Sequence, residues 1–350
     1  MNTKPLKIGL VGYGLAGRVF HTPLYEAAGV ELVAVVTSKP ENVLADHPAV
    51  RIYETPAQLL KDDEIDLVVL ASPSFTHAPL MLEALAAGKH VLSDKPFTAT
   101  VTEADAVIAA SKKAGKIASC YQNRRYDADF LTLQSLMEQQ VFGEVLHFEA
   151  HFDRYSPIVK DRWQEYEQPG VGIHYDLGAH LVDQALTLFG LPDWVQADVQ
   201  KQREGSAIID QFYVRLAKGR IRLELSAGML VPDNRLRYRV HGTKGSWFKE
   251  HLDPQEDQIW HQAMKPTDER YGLEDESHYG ILTTVEDGRT VSRRTPTLKG
   301  DWPGIYRDFA SAIQQGVEPP VTGEQARNTI AVIEAMVASS DSGQRVSLVA

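Results

Sequence analysis

Three groups of residues in this chain have the types and spacing for chemistry. The first is Gly12-Tyr13-Gly14-Leu15-Ala16-Gly17, a GxGxxG run that follows an apolar stretch at 6–11. In a strand–turn–helix context such a run holds a pyrophosphate on backbone N–H groups at the positive end of the helix. Gly12 permits the turn, Gly14 lets the main chain approach the phosphates, and Gly17 lets the helix pack on the strand. The plainer alternative is a structural βα turn. The second group is Asp94-Lys95-Pro96, whose ammonium could stabilise a carbonyl or alkoxide oxygen beside a nicotinamide; alone, such a tripeptide is more often a solvated turn. The third is Asp176, His180 and Asp183, at i, i+4 and i+7, which share one face if Asp176 opens a helix. A carboxylate beside an imidazole orients it and raises its basicity, as a proton acceptor at neutral pH requires. The alternative makes Asp176 an N-cap and His180 a satisfied buried histidine.

The elements that must position these groups follow from periodicity. Up to about residue 124 the pattern predicts strands at 30–36, 51–53, 67–71, 90–92 and 117–120, with helices at 77–87 and 102–114 closed by Gly88 and Gly115. Continuous apolar strands alternating with glycine-closed helices predict a doubly wound parallel sheet covered on both faces. Ligands of such sheets bind at the carboxyl ends of strands, where Ser72, Pro73, His77, Asp94, Lys95 and Asn123 are delivered. After the second strand come Thr37, Ser38 and Lys39 instead of the acid that receives a ribose 2′-hydroxyl in NAD sites. Two hydroxyls and a cation favour the 2′-phosphate of NADP, with NAD the alternative. Beyond residue 124 the reading places helices at 130–140, 176–189, 305–315 and 324–340. Half-covered strands are expected at 145–154, 195–202, 209–216, 220–229 and 236–241, with alternation as in Ile221, Leu223 and Leu225. Residues 250–299 give no clear pattern. The domains are therefore 1–124 for the dinucleotide and 125–350 for substrate and oligomer contacts.

Length and composition bound the function classes. At 350 residues, 43% apolar and 24% charged, the chain has the make-up of a globular protein of two domains. A net charge of -11 argues against nucleic acid or anionic membrane as partner. One cysteine, Cys120, gives no disulfide framework, and its apolar neighbours predict a buried thiol. With no leader or membrane span apparent, the cytoplasm is the expected location. His147 and His151 share a strand face, but no Cys/His set completes a ligand shell and no metal is expected.

The glycine run, Asp94-Lys95-Pro96, and Asp176 with His180 in Asp-Leu-Gly-Ala-His together resemble the Gfo/Idh/MocA family of sugar and polyol oxidoreductases, over nearly the whole chain. The resemblance implies a Rossmann domain followed by a C-terminal α/β domain with a large, mostly antiparallel open sheet used in oligomer contacts, here as a homodimer or homotetramer. It places the catalytic roles on Lys95, Asp176 and His180. Many members carry Glu where this chain has Asp94, which leaves the reach of that carboxylate open. The Asp-Lys-Pro run, 123–127 and 151–155 are similar to the NADP-linked scyllo-inositol dehydrogenase branch. The candidate substrate set is Lys95, Asn123, Asp153, Arg154, Tyr155, Trp163, Tyr175, Asp176 and His180. Polar groups of this kind suit a ligand with several hydroxyls. Glucose or xylose oxidation, sugar chemistry with a retained cofactor, and a cofactor-sensing regulator of the same fold are the competing readings. Alternating strands such as 221–225 also predict an apolar face with too few helices to cover it, hence an oligomer.

Overall fold

A strand buried on both faces must be apolar at consecutive positions, and Leu67, Val68, Val69 and Leu70 are all buried. The computed structural model describes residues 4–348, and the chain divides into two units. The first takes residues up to Asn123 together with Gln255–Tyr271 and Asp301–Arg327; the second takes Arg124–Pro254, Gly272–Gly300 and the chain from Asn328 onward.

Among the described residues of the first unit, β1 (Lys7–Val11), β2 (Glu31–Val36), β3 (Arg51–Tyr53), β4 (Leu67–Leu70), β5 (His90–Ser93) and β6 (Ala118–Cys120) form a six-stranded parallel sheet. Its order is β3-β2-β1-β4-β5-β6, so the winding reverses between β1 and β4, the place where such sheets receive ligands. Local chemistry sets the helices. Val101–Ala114 opens with a Thr100–Glu103 capping box and closes at Gly115 with φ 61°. The elements expected here from the sequence are found within one residue of their predicted ends. Cys120 is buried.

In the second unit, again among the described residues, β7 (Val145–His151), β8 (Trp194–Gln200), β9 (Gln211–Lys218), β10 (Ile221–Gly228), β11 (Leu236–Gly242), β12 (Gly245–Glu250), β13 (Gly280–Glu286), β14 (Arg289–Thr295) and β15 (Val346–Ser347) form one sheet. Its order is β14-β13-β12-β11-β7-β10-β9-β8-β15, with β7 and β10 parallel and the other pairs antiparallel.

Three expectations are corrected. The apolar face of β10 is not left open: Leu223 and Leu225 pack with Phe130, Leu133, Leu181, Val182 and Met336 from helices Ala128–Glu138, Gly178–Phe189 and Gly323–Ser342. The argument for an oligomer from an uncovered apolar face therefore falls. The opposite face is polar, with Arg239 and His151 both bonded to Glu149 and Arg215 paired with Glu224. The unread stretch 250–299 contains the β13–β14 hairpin, hidden from periodicity because β14 is exposed at nearly every position. And the helix bearing His180 does not begin at Asp176: a short helix Ile173–Asp176 precedes Leu177 and the helix Gly178–Phe189, so Asp176 closes one turn instead of capping the next.

Candidate active site

At the carboxyl end of β1 the glycine turn has distinct steric demands at each position. Gly12 has φ +98° and a Cβ there would stand 2.6 Å from the Ala71 carbonyl oxygen, while a Cβ on Gly17 would stand 2.3 Å from the oxygen of Gly12. Both must be glycine for packing. A Cβ on Gly14 would meet nothing within 4 Å, which leaves open space beside the turn. That space, at the start of a helical segment, fits a dinucleotide phosphate. Tyr13 donates its hydroxyl to Asp46 (2.9 Å), and Arg18 forks onto the same carboxylate (2.7 and 3.1 Å). Burial and the Asp46 bond push the Tyr13 phenol up to about 12. Leu15 is exposed; Ala16 and Gly17 begin a π-helical segment, Ala16–His21. Beyond β2, Lys39 donates its N–H to the Thr37 hydroxyl (3.0 Å), with Ser38 and Lys39 exposed.

Beyond β4, the Ser72 and Thr76 hydroxyls lie 2.7 Å apart after Pro73, and the buried ring of His77 reaches two carbonyls, Pro96 through Nδ1 (2.7 Å) and Ser72 through Nε2 (3.0 Å). His77 thus braces the loops after β4 and β5. Burial pushes its imidazole below the usual range although both carbonyls favour a proton. Asp94 follows β5 and accepts the Lys95 N–H at 2.7 Å. Burial alone would raise its carboxyl, but the facing His21, then Lys95 and His77, hold it below the usual range. The Lys95 side chain is half-buried on this edge. Asn123, buried, opens the 3₁₀ turn Asn123–Tyr126 after β6.

In the second unit His180 is 5% exposed and Asp176, one turn earlier, is exposed. Their helix is moored by charged and amide side chains. Arg125 forks onto Asp183 (2.7 Å for both bonds). Gln184 donates to the Arg124 carbonyl (2.8 Å) and accepts from Arg237 (2.9 Å) and Tyr238 (2.8 Å). Arg237 also donates to Asp129 at 2.9 Å. Burial, with the charges of Asp253 and Asp129 against Arg124 and Arg237, leaves Asp127 well above the usual carboxylate range. Arg124 is buried over the Phe152 ring, and Arg125 holds the His180 helix through Asp183. Sequence reasoning identified Asp183 only by its spacing and missed Gln184, Arg237 and Tyr238, which carry no local motif.

The remaining substrate candidates are dispersed in character. Asp153 accepts the Gly228 N–H (2.9 Å) and contacts His151 (3.2 Å), so its carboxylate is engaged by the chain itself. Arg154 stacks over Phe152. Tyr155 is 58% and Trp163 40% exposed. Tyr175 packs its ring on His174 (4.6 Å). His174, unremarked in the sequence, is buried, and burial pushes it down to about 4. Among the described residues, no cluster of metal-ligating side chains and no helix long and apolar enough to cross a membrane is found.

Comparison with known proteins matches residues 6–122 to the model of the NAD-binding Rossmann fold of the GFO_IDH_MocA oxidoreductase family, and residues 134–348 to the C-terminal alpha/beta domain of the same family. The chain is 41% identical over 337 residues to the uncharacterized oxidoreductase YdgJ of Escherichia coli K12, covering 96% of each. It is 36% identical to the scyllo-inositol 2-dehydrogenase (NADP(+)) IolW of Bacillus subtilis, covering 98% of this chain and 96% of the relative. Among solved structures, the putative oxidoreductase yvaA of Bacillus subtilis superposes with a TM-score of 0.96 at 35% identity, over 99% of this chain and 100% of that one.

Proposed function

This chain belongs to the Gfo/Idh/MocA family of oxidoreductases, and on that premise we propose that it interconverts a secondary alcohol and a ketone on a cyclic polyol or sugar, scyllo-inositol and its inosose foremost, with NADP. The observation that carries the reading is Lys95, half-buried at the same strand-end edge as the open turn at Gly14. The 36% identity to a relative named as an NADP-dependent scyllo-inositol dehydrogenase supports the choice of substrate and cofactor.

Gly12, Gly14 and Gly17 hold the cofactor phosphates, and Thr37, Ser38 and Lys39 receive the 2′-phosphate. When bound, NADP supplies the hydride acceptor for the carbinol carbon. His180 accepts the hydroxyl proton, Asp176 orients the imidazole, and the Lys95 ammonium stabilises the charge that develops on the oxygen. Asn123, Tyr155, Trp163 and Tyr175 read the remaining hydroxyls. The chain acts as a homodimer or homotetramer in the cytoplasm, a proposal for which the polar face of the second sheet is the candidate contact.

A panel of inositols, aldoses and their keto forms assayed with NADP(H) and NAD(H) tests the reading. Inosose reduction with NADPH ranks among the fastest reactions; activity confined to non-hydroxylated carbonyl compounds refutes it. His180→Ala lowers turnover by roughly 10² to 10⁴, the range for a lost proton acceptor. Unchanged turnover in the folded variant removes His180 from the mechanism.

A further inference from the structure

Behind the Lys95 loop, the first unit holds a set of buried polar groups that the proposed reaction does not use. His21 closes the π-helical segment that follows the glycine turn, and it is 0% exposed. A π-helical turn is wider than an α-turn and is frequent at functional sites. Nδ1 of His21 lies 2.5 Å from the Tyr306 hydroxyl, its ring packs 4.2 Å from that of Tyr121, and Tyr121 donates its own hydroxyl to the Phe20 carbonyl (2.7 Å). Tyr306 cannot be an anion there: burial, with Tyr25 and Tyr121 beside it, pushes its phenol far up. A neutral hydroxyl can donate to Nδ1 as well as accept from it, and donation by Tyr306 leaves the imidazole proton on Nε2. That atom has no hydrogen-bond partner and faces Oδ2 of Asp94 at 3.6 Å. The other oxygen of Asp94 accepts the Lys95 N–H.

A buried nitrogen left without a partner is costly, and the Asp94 carboxylate, 3.6 Å away, is the group placed to satisfy it. We infer that His21 is a positioning residue: held by Tyr306 and Tyr121, it fixes the Asp94 carboxylate and through it the Lys95 main chain, linking the glycine turn to the Lys95 loop for cofactor binding. The inference rests on the proposed NADP site. The charged and titratable groups facing Asp94 are His21, Lys95 and His77, with Tyr306 acting on it from the helix Pro303–Gln315 and the Cys120 thiol at its main-chain carbonyl (3.9 Å), and His77 is itself tied to the Pro96 carbonyl.

Two measurements on the full chain decide it. In cofactor-free protein labelled with ¹³C at aspartate carboxyls, the Asp94 midpoint rises by about one pH unit in His21→Ala and in His21→Leu, which fills the space without a donor, and by less in His21→Gln, which keeps an N–H at the Nε2 position. NADPH fluorescence titration gives Kd about tenfold higher in His21→Ala and within about threefold of the parent in His21→Gln, as expected for one charge-assisted hydrogen bond. An unmoved Asp94 midpoint, or a moved midpoint with unchanged NADPH affinity, overturns the inference. If His21→Ala does not fold, Tyr306→Phe and His21→Gln are judged by the same two readouts. A parent protein that binds neither NADPH nor NADH refutes the cofactor reading instead, and the NMR midpoint then decides whether His21 fixes Asp94.

Discussion

Lys95 stands on a loop whose anchors are largely main-chain groups: its own N–H on Asp94, and the Pro96 and Ser72 carbonyls on His77. His180 stands on a helix whose anchors are side chains, with Arg125 on Asp183 and Arg237 and Tyr238 on Gln184. The difference follows from architecture. A parallel sheet sets its loops down at fixed strand ends, so a few brace bonds complete the geometry. A helix lying on a sheet can slide and rotate unless side chains lock it, and charged locks in a dry interior are held only by their partners. The second unit should therefore be the more fragile to single polar substitutions.

The largest expected effect tests that lock. Asp183→Ala removes the bidentate partner of the nearly buried Arg125 and should lower unfolding stability by about 3–5 kcal/mol, whereas the joint replacement Arg125→Met with Asp183→Leu should recover most of it. Urea midpoints of the single and double variants give the answer. A double variant as unstable as the single one would mean that packing, and not charge pairing, holds the helix.

The next effect separates the units by pH. His174 in the second unit is held down to about 4 by burial. The unfolded chain takes up a proton near pH 6.5 and the folded chain does not until about pH 4, so stability is full above 6.5 and falls as pH drops through that window. The loss is up to roughly 3 kcal/mol. His90 in the first unit is also depressed to about 4, by burial and then by Lys116, but it is only half-buried and solvent screening makes its share smaller. Urea midpoints between pH 7 and 4.5 should fall for the parent and fall less for His174→Gln. An equal fall in both would clear His174.

The first unit was legible because each strand is a run of apolar residues bounded by turn residues, and because Gly12, Asp94 and Lys95 lie in short local motifs. What escaped is what depends on distant partners. Nothing near His21 announces Tyr306, 285 residues away, and nothing near Asp183 announces Arg125. The β13–β14 hairpin escaped for another reason: Arg289–Thr295 is solvated on both faces, so no alternation marks it. Asp176 was misplaced by the fair rule that an acid opens a helix; here the chain enters the turn earlier, at Gly172 with φ 113°, and breaks at Leu177.

Cofactor choice sharpens the comparison from the loop side. If Thr37, Ser38 and Lys39 receive a 2′-phosphate, NADPH binds more tightly than NADH, and Lys39→Ala narrows the gap by about 1.5–3 kcal/mol, the range for charged hydrogen bonds. The Lys39 side chain is exposed, so thermal stability should not move with it. Equal affinities in the parent would refute the assignment.

The smallest stability change is expected at the one glycine of the GxGxxG turn that has open space beside it. Gly12→Ala forces φ +98° on a residue with a Cβ and drives that atom to 2.6 Å from the Ala71 carbonyl, so the fold itself should suffer. Gly14 is different, because a Cβ there meets nothing within 4 Å and its φ lies outside the left-handed region. Gly14→Ala should leave the melting temperature unchanged or slightly raised, since alanine narrows the unfolded ensemble. The same methyl group would occupy the space read here as the phosphate cradle, and the Kd for NADPH should rise by about tenfold or more, at least 1.4 kcal/mol. Calorimetry and fluorescence titration on this one variant separate the two demands on the turn: a drop in melting temperature would show that the space beside Gly14 is needed by the fold, and full stability with full NADPH affinity would show that the phosphates do not sit there.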